Sequence, residues 1–394
     1  MMKHNFEQFI DRKGTQCWKW DQEGSLVSYP MGCADTDFRA PQEIVDALKS
    51  KIDEGILAYG EGVPSALNEA LAGYYQRRHN MSVAPQHFIY FSGIIVAMKI
   101  VLDAFTVAGD KVIVQTPAFH NFGHLLDVNG RIMLENELVF NAQTRQYQVD
   151  FEELEAQASD PRCKVMVLCN PHNPVGKAFS KEELLQIHRI CSCHGVMVFS
   201  DEVHGDIYYD GKQHVPYLSI GENVEQHAMI VSASGKTFNI HGMYASYLMI
   251  CDEELKTRFQ QAASRMHFDY SILGALANTV AYSGECDYYI DGLVGYLQTN
   301  LDYIRAFLKD NDIAVQLIEP DATYLVWLDF SQWNIPGAGL KQLLAKHGLG
   351  INEGEKFGKG GAGFVRMNTA CHMDTLIGAM NAIKKAYEQE VKNK

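Results

Sequence analysis

The sequence lacks any apolar stretch long enough to cross a membrane, and it lacks any concentration of basic residues. A transmembrane helix needs about 20 consecutive apolar residues, and no run in this chain of 394 residues approaches that length. Lysine and arginine number 34 against 48 aspartates and glutamates, so the formal net charge is −14. Proteins that bind nucleic acids or anionic membranes usually carry a basic patch. We therefore expect neither nucleic acid nor a membrane as a partner.

Disulfide and metal-binding patterns are also missing. The nine cysteines are an odd number in a long chain, whereas disulfide-stapled domains are short and rich in cysteine. The N-terminal residues contain no apolar signal core. Cysteines on the predicted amphipathic helix over 181–194 are better interpreted as buried apolar residues than as metal ligands. We expect reduced thiols, a cytoplasmic location and no metal. The nearest approach to a metal motif is His188-x-x-Cys191-x-Cys193-His194.

What the sequence does contain is the composition of an ordinary globular protein. Hydrophobic residues make up 47% and charged residues 21%, which permits a sizeable core, and the length suggests two or three compact units. From about residue 88, short apolar runs alternate with helical patterns, which is typical of a mostly parallel sheet with helices on both faces. The predicted strands are Phe88–Ser92, Lys111–Gln115, Lys164–Cys169, Val196–Ser200, Met229–Ser232 and Ala245–Cys251.

The pattern of elements changes after about residue 285, where a long helix is followed by short strands and a closing helix. We therefore predict a large α/β domain over 51–285 and a smaller α+β domain over 286–394. An N-terminal segment, 1–50, is expected to pack with the small domain. Gly354–Gly363 is rich in glycine and is predicted to form a mobile loop.

The end of the first predicted strand is a candidate anion site. Ligands of open α/β sheets bind beyond the carboxyl ends of the strands. Gly93 and Ile94 lie between this strand and a helix predicted from about Val96. Free backbone N–H groups at a helix N-terminus bind anions. A tight turn without a ligand explains these residues alone equally well.

Polar side chains follow three further strands. Asn170 opens the segment Asn-Pro-His-Asn-Pro-Val-Gly. Asp201 ends a strand predicted to be buried on both faces, where a carboxylate needs a cationic or donor partner. Lys236 follows the next strand, and burial there would lower its pKa and make it nucleophilic. Ser234 lies two residues before it, so both side chains point to the same side if the backbone is extended.

Each of these residues has a plain structural explanation when it is taken singly. At successive strand ends they form the parts of a pyridoxal-phosphate site, in which a lysine forms a Schiff base and a carboxylate partners the ring nitrogen. A helix N-terminus and a serine would hold the phosphate.

The same motifs carry a family resemblance. One set is Asn170-Pro-x-Asn-Pro-x-Gly176, Asp201, and Ser234-x-Lys236 followed by Phe238-Asn239-x-x-Gly242. The chain resembles fold-type I pyridoxal-phosphate enzymes of the class I and II aminotransferase superfamily. A second set suggests the cystathionine β-lyase branch of the MalY/PatB type. This set is Ala34-Asp35-x-Asp37-Phe38 followed by Pro41, Tyr59-Gly60, Gln115-Thr116-Pro117, and Ser200-Asp-Glu-Val-His204.

The resemblance implies an aminotransferase-like fold, with a three-layer αβα large domain and a smaller α+β domain. It implies that Lys236 forms the Schiff base with pyridoxal 5′-phosphate and moves the proton at Cα. Asp201 would keep the ring nitrogen protonated, and Asn170 would contact the ring 3′-oxygen. The other implied cofactor ligands are Gly93, Ile94 and Ser234 at the phosphate, Phe119 stacked on the ring, His204 near the ring oxygen, and Tyr59.

The resemblance also implies how a substrate is held and how subunits assemble. Arg366 matches the arginine that binds the substrate α-carboxylate, for which a bidentate guanidinium is well suited. Asn170 and Ala34 would complete the substrate site. Tyr59, counted among the catalytic residues, would reach the phosphate region of a neighbouring subunit's site, which implies a homodimer with shared active sites.

Several positions depart from the pattern of the resembled family. Many superfamily members carry an arginine on the phosphate where this chain has Tyr244, so the phosphate would be held with less positive charge. Branch members usually carry tyrosine where this chain has Phe119, so we expect one hydroxyl fewer in the site. They usually carry tryptophan where this chain has Gly32, so we expect a wider substrate pocket. His204 replaces the tyrosine of many superfamily members, although the branch also tends to have histidine there.

The activity implied by the branch is carbon–sulfur β-lysis. L-cystathionine or a related cysteine S-conjugate would be split into a thiol, pyruvate and ammonia. An L-amino-acid aminotransferase would use the same residues and is the alternative. A non-catalytic binding or regulatory protein on the same fold is a third interpretation, against which the presence of Lys236 argues.

Overall fold

The computed structural model describes residues 4–58, 65–266 and 270–392, and a large, mostly parallel sheet lies at its centre. The strands are β1 (Tyr29–Pro30), β2 (Phe88–Phe91), β3 (Lys111–Thr116), β4 (Ile132–Glu137), β5 (Val139–Asn141), β6 (Gln146–Gln148), β7 (Cys163–Cys169), β8 (Met197–Asp201), β9 (Ala228–Ala233), β10 (Ser246–Met249), β11 (Gln316–Ile318), β12 (Leu325–Asp329), β13 (Leu349–Gly350), β14 (Asn352–Glu353) and β15 (Phe364–Asn368). The α-helices are α1 (Gln42–Asp53), α2 (Ser65–His79), α3 (Ile94–Phe105), α4 (Asn121–Val128), α5 (Phe151–Ala158), α6 (Lys181–Cys193), α7 (Gly235–Phe238), α8 (Glu253–Ala263), α9 (Ile272–Tyr282), α10 (Asp287–Asn311), α11 (Gly337–Lys346) and α12 (Met373–Ala386).

The strand order of the large sheet is β2-β10-β9-β8-β7-β3-β4, seven strands within the described ranges. Strand β10 runs antiparallel to both of its neighbours. The remaining pairs are parallel. All six predicted strands between residues 88 and 251 are present, with their ends shifted by one or two residues. The predicted α/β fold is therefore confirmed.

Helices cover both faces of this sheet. Val112 and Val114 of β3 pack in one hydrophobic cluster with Leu126 of α4 and Phe259 of α8. The intervening Ile113 belongs to the cluster on the opposite face. Burying an aliphatic side chain of this size stabilises the fold by about 1.5–3 kcal/mol relative to exposure. A sheet apolar on both faces therefore favours three layers.

Side-chain caps fix where several of these helices begin. Ser180 and Glu183 form a capping box at the start of α6, in which each side chain accepts a hydrogen bond from the other residue's backbone N–H. Asp150 caps α5 in a similar way, accepting from the backbone N–H of Glu153. Cys191 of α6 is fully buried, as expected for this helix. Among the described residues, no group of three or more histidine, cysteine, aspartate or glutamate side chains could hold a metal ion.

A second, antiparallel sheet lies in the C-terminal third, with the order β11-β12-β15-β14. Strand β1 pairs in parallel with β13, so that Tyr29 lies opposite Leu349. Helix α1 contacts α9. None of the helices in the described part of the chain is both long and apolar enough to span a membrane.

The glycine-rich segment predicted as a mobile loop has a defined conformation. Its first residues, Gly354–Phe357, form a turn of 3-10 helix, and Phe357 is buried. A side chain at Gly354 would place its Cβ 1.9 Å from the backbone oxygen of Gly361. The glycines therefore permit two backbone segments to touch.

Candidate active site

A cavity of about 450 Å³ lies elsewhere on the surface, but most of the predicted site residues line another cavity, of about 310 Å³. This second cavity opens at the carboxyl ends of the central strands, where ligands of such sheets bind. The predicted site residues that line it are Ala34, Gly93, Ile94, Phe119, Asp201, His204, Lys236 and Arg366.

Lys236 projects into this cavity from the short helix α7, immediately after β9. Its Nζ donates a hydrogen bond to the backbone oxygen of Ala34 (2.6 Å). Burial lowers the pKa of Lys236 below its usual value. A lower pKa increases the fraction of neutral amine, which is the nucleophilic form.

Asp201 ends β8 with its carboxylate buried at the cavity wall. Within the described residues the carboxylate of Asp201 accepts one hydrogen bond, from the backbone N–H of Val203 to Oδ1 (3.1 Å), and forms no ion pair. Burial raises the pKa of Asp201 to about 7. A buried carboxylate with so few partners suits a ligand that brings its own positive charge.

The raised pKa predicts how the cofactor-free protein responds to pH. Between about pH 4 and 7 the folded state binds more protons at Asp201 than the unfolded state does, so this group's contribution to stability falls as pH rises. Asp201→Asn is neutral throughout. We expect the free energy of unfolding of the variant, measured relative to that of the wild type, to rise by about 2–3 kcal/mol from pH 5 to pH 8.

Denaturant unfolding of both cofactor-free proteins at pH 5, 6.5 and 8 measures this difference. Asp127→Asn, at an exposed position of α4, serves as the control and should keep a constant difference from the wild type. A constant difference for Asp201→Asn as well would contradict the prediction.

Arg366 enters the cavity from β15 of the second sheet and is 5% exposed. Nη1 donates to Oδ1 of Asn173 (3.1 Å), and Nη2 donates to the backbone oxygen of Gly32 (2.8 Å). The buried Nε has no hydrogen-bond partner in the described part of the chain. Burial lowers the pKa of Arg366 to about 10, so the guanidinium remains charged at neutral pH. This arrangement leaves a charged donor for an anionic ligand.

The structure does not bring Asn170 to the cavity, contrary to the expectation from sequence. The Asn170 side chain is buried, and its Nδ2 donates to the backbone oxygen of Val215 (3.0 Å). Asn173, three residues later, lines the cavity instead and holds Arg366. Sequence reasoning missed Asn173 although it lies in the same motif. The sequence feature that could have indicated Asn173 is the second Asn-Pro pair, directly before Val175-Gly176.

Ser234 also departs from the prediction. Its backbone is helical rather than extended (φ −71°, ψ −15°) because the chain turns directly into α7. The hydroxyl donates to Oδ1 of Asn278, and Ser234 is not among the residues that line the cavity. The first turn of α3 does line the cavity, from Gly93 onward, and backbone N–H groups in such a turn are suited to bind an anion.

Two further predicted residues close the sides of the cavity. Phe119 contributes an aromatic wall. His204 is buried with its Nδ1 unpartnered among the described residues, and its ring lies edge-on to Tyr324. Burial lowers the pKa of His204 well below its usual value, so the ring is neutral at pH 7. The predicted residue Tyr59 lies outside the described residues.

Gly32 does not widen the site in the way the sequence suggested. The carboxylate of Glu23 accepts hydrogen bonds from the backbone N–H groups of Gly32 (3.0 Å) and Cys33 (3.2 Å). A Cβ at Gly32 would lie 2.5 Å from Oε1 of Glu23. The space that a side chain at position 32 would enter is thus already filled by Glu23.

Comparisons with known proteins find relatives over nearly the whole chain. The profile of the family described as "Aminotransferase class I and II" matches residues 31–383. Cystathionine beta-lyase PatB of Bacillus subtilis (strain 168) is 38% identical over 392 residues, covering 97% of this chain and 99% of the relative. Protein MalY of Escherichia coli (strain K12) is 29% identical over 391 residues, covering 96% and 99%.

Two solved structures are similar over nearly the whole chain. A putative aminotransferase from Clostridium difficile 630, described as PLP-bound, has a TM-score of 0.93 at 31% identity, and the match covers 98% of this chain and 100% of the chain of that structure. Cystalysin from Treponema denticola, described as containing a pyridoxal 5′-phosphate cofactor, has a TM-score of 0.93 at 28% identity and covers 98% and 99%.

Proposed function

Because the chain belongs to the class I and II aminotransferase family, we propose that it is a pyridoxal-phosphate-dependent carbon–sulfur β-lyase. Its substrates are L-cystathionine or related cysteine S-conjugates, and its products are a thiol, pyruvate and ammonia. The observation that carries the proposal is the convergence of Lys236, Asp201 and Arg366 on one cavity. The similarity to curated cystathionine β-lyases supports this reaction over others of the family.

The residues of the cavity fit pyridoxal phosphate. Lys236 supplies an amine of lowered pKa for covalent attachment. Asp201 supplies a buried carboxylate for the ring nitrogen, and the N-terminus of α3 supplies backbone N–H groups for the phosphate. Phe119 supplies an apolar wall for one ring face. When bound, this cofactor withdraws electrons from the substrate Cα.

The substrate is held chiefly by Arg366. Its Nε and guanidinium charge bind the α-carboxylate, while Nη1 and Nη2 remain tied to Asn173 and Gly32. Because Oδ1 of Asn173 accepts from Arg366, Nδ2 is the atom of this amide that donates to a ligand oxygen. Fixing the carboxylate in this way orients the Cα–H bond toward the lysine.

Lys236 is the general base and acid of the reaction. Once the substrate amine has displaced it, its neutral Nζ removes the Cα proton. Burial favours this neutral form. The same amine then delivers a proton where one is needed. Loss of the sulfur group from Cβ gives the lyase outcome, whereas net transfer of the amino group gives an aminotransferase.

The experiment that tests the proposal separates these two outcomes. Purified protein loaded with pyridoxal phosphate receives L-cystathionine and no keto acid, and pyruvate is measured against the amount of protein. We expect pyruvate to accumulate over many turnovers. One equivalent of the keto acid of cystathionine, formed without pyruvate, would identify an aminotransferase, because no keto acid is present to accept the amino group and allow a second turnover. No reaction would refute both.

The assembly and location of the enzyme follow as parts of this proposal. We infer a homodimer with shared active sites, in which Tyr59 reaches the neighbouring subunit's phosphate region. Ile56 and Leu57, 66% and 55% exposed, lie just before Tyr59, and Tyr244 at the cavity is 63% exposed. Exposed apolar side chains of this kind support an interaction surface. The nine cysteines all lie in the described residues and form no disulfide with one another, which supports a cytoplasmic location.

A further inference from the structure

We propose that Asp206 and Thr237 form a brace that sets the position of Lys236 relative to Asp201. Oγ1 of Thr237, the residue directly after Lys236, donates a hydrogen bond to Oδ2 of Asp206 (2.6 Å). Neither residue lines the cavity. They are therefore positioning residues, and the inference rests on the proposed function in that Lys236 carries the cofactor.

The helix that carries Lys236 needs such support. Helix α7 has four residues, and helices this short are unstable unless tertiary contacts hold them. Ser234 is bonded to Asn278 at its start, and Nδ2 of Asn239 donates to the backbone oxygen of Phe38 (2.7 Å) at its end. The bond from Thr237 lies between these two anchors. Of the three side-chain bonds it is the one made to a carboxylate, which makes it the strongest by type.

The acceptor lies in the segment that carries the other cofactor-facing groups. Asp206 follows Asp201 and His204 in a short stretch after β8. Backbone bonds make this stretch rigid, including those from Gly205 N–H to Glu202 (2.9 Å) and from Ile207 N–H to His204 (3.2 Å). The bond to Thr237 therefore joins the short helix α7 to this stretch, and the two reach the cavity from different strands.

Asp206 itself is fixed from its other side. The hydroxyl of Tyr74, in α2, donates to Oδ1 of Asp206. Burial raises the pKa of Tyr74 well above its usual value, so this hydroxyl keeps its proton. Tyr74 and Thr237 are both buried. The carboxylate thus receives two buried O–H donors, one to each oxygen, and has a single orientation.

The brace acts by position rather than through charge. Burial is the largest influence on the pKa of Lys236, the charged groups that also affect it are Arg366, Asp35 and Asp201, and Asp206 is not one of them. Loss of the bond should therefore misplace the amine without abolishing its chemistry. An error of about 1 Å in a reacting group costs up to about 100-fold in rate.

The test removes the hydroxyl and keeps the shape. In Thr237→Val we expect the cofactor-free protein to attach pyridoxal phosphate to Lys236 about tenfold more slowly than the wild type does. The absorbance of the lysine-bound cofactor measures this rate. We expect kcat to fall by a similar factor while KM changes less than about twofold. Thr237→Ser keeps the donor and should restore both rates to within about twofold of the wild type.

Thr106→Val is the matched control for lost stability. Thr106 is buried at the end of α3, where its Oγ1 donates to Leu102 (2.5 Å) and accepts from Arg131 (2.8 Å). This control should lower the unfolding temperature without slowing attachment. Equal slowing in Thr106→Val, or an attachment rate in Thr237→Val within twofold of the wild type, overturns the proposal.

Two further readouts keep the test decisive. If Thr237→Val does not fold, Asp206→Asn replaces it, since the amide has one acceptor oxygen for two donors. Slower attachment then supports the brace, and an unchanged rate overturns it. If the wild type attaches the cofactor but does not cleave L-cystathionine, the proposed function fails, while the attachment rates still decide the role of Thr237.

Discussion

Lys236→Ala is expected to lower carbon–sulfur cleavage by at least about four orders of magnitude, because one side chain performs two tasks. It forms the covalent attachment of the cofactor, and it carries the proton at Cα. Lys236 is the one lysine that lines the cavity within the described residues. No other described residue that lines the cavity has an amine side chain that could perform either task. The measurement is pyruvate release from L-cystathionine, together with the absorbance of the lysine-bound cofactor.

Lys236→Arg is the control for charge and packing. A guanidinium can still donate to the backbone oxygen of Ala34, as Nζ does in the wild type. It stays protonated at neutral pH and neither attacks the cofactor nor removes a proton. We expect this variant to fold and to be as inactive as Lys236→Ala. Activity above about one part in a thousand of the wild type in both variants would contradict the assignment.

Arg366→Lys is expected to lower kcat/KM by about 100-fold, mainly through a higher KM. The wild-type guanidinium makes two fixed hydrogen bonds and still has Nε for the substrate carboxylate. A lysine has a single nitrogen, which cannot satisfy Asn173, Gly32 and a carboxylate in the same geometry. Initial rates across a range of L-cystathionine concentrations separate KM from kcat.

Asn173→Ala gives a graded comparison for the same subsite. It removes the acceptor of Nη1 and leaves the guanidinium in place. We expect a loss in kcat/KM of about tenfold, smaller than that of Arg366→Lys. Asn170→Ala removes an amide of the same motif that does not line the cavity, and should change kcat/KM less than either. A KM within about threefold of the wild type in Arg366→Lys would contradict the role of Arg366.

The positions of Lys236 and Asp201 could be predicted from the sequence because each follows a buried strand. Apolar runs mark where parallel strands end, and parallel strands end at the same edge of a sheet. The resemblance supplied Arg366, since it lies on another sheet and is 130 residues further along the chain than Lys236. The comparisons confirm the predicted family.

The residues that the sequence misplaced depend on how a turn is oriented. Asn170 and Asn173 stand in one motif, and only the path of the chain decides which side chain faces the cavity. Ser234 was assigned on the assumption of an extended backbone, but the strand ends at Ala233 and a helical turn follows. Local pattern predicts the existence of an element better than its last residue.

The role of Glu23 could not be predicted for a different reason. Its contact with Gly32 joins two irregular parts of the N-terminal segment, where neither periodicity nor a motif indicates a pairing. Packing alone decides that a carboxylate fills the space beside a glycine. The sequence therefore identifies position 32 as unusual, but the wider substrate pocket expected from its glycine is not present.

The contacts of the short stretch from Gly32 to Ala34 determine when the active site can form during synthesis. Its backbone oxygens pair with Lys236 and Arg366, which lie 202 and 334 residues away in sequence. A ribosome makes this stretch before both partners, 202 residues before Lys236 and 334 residues before Arg366. Contacts of such large sequence separation form slowly and late. Cleavage of substrate by a nascent chain would thus report that the strand carrying Arg366 has already folded onto the N-terminal segment.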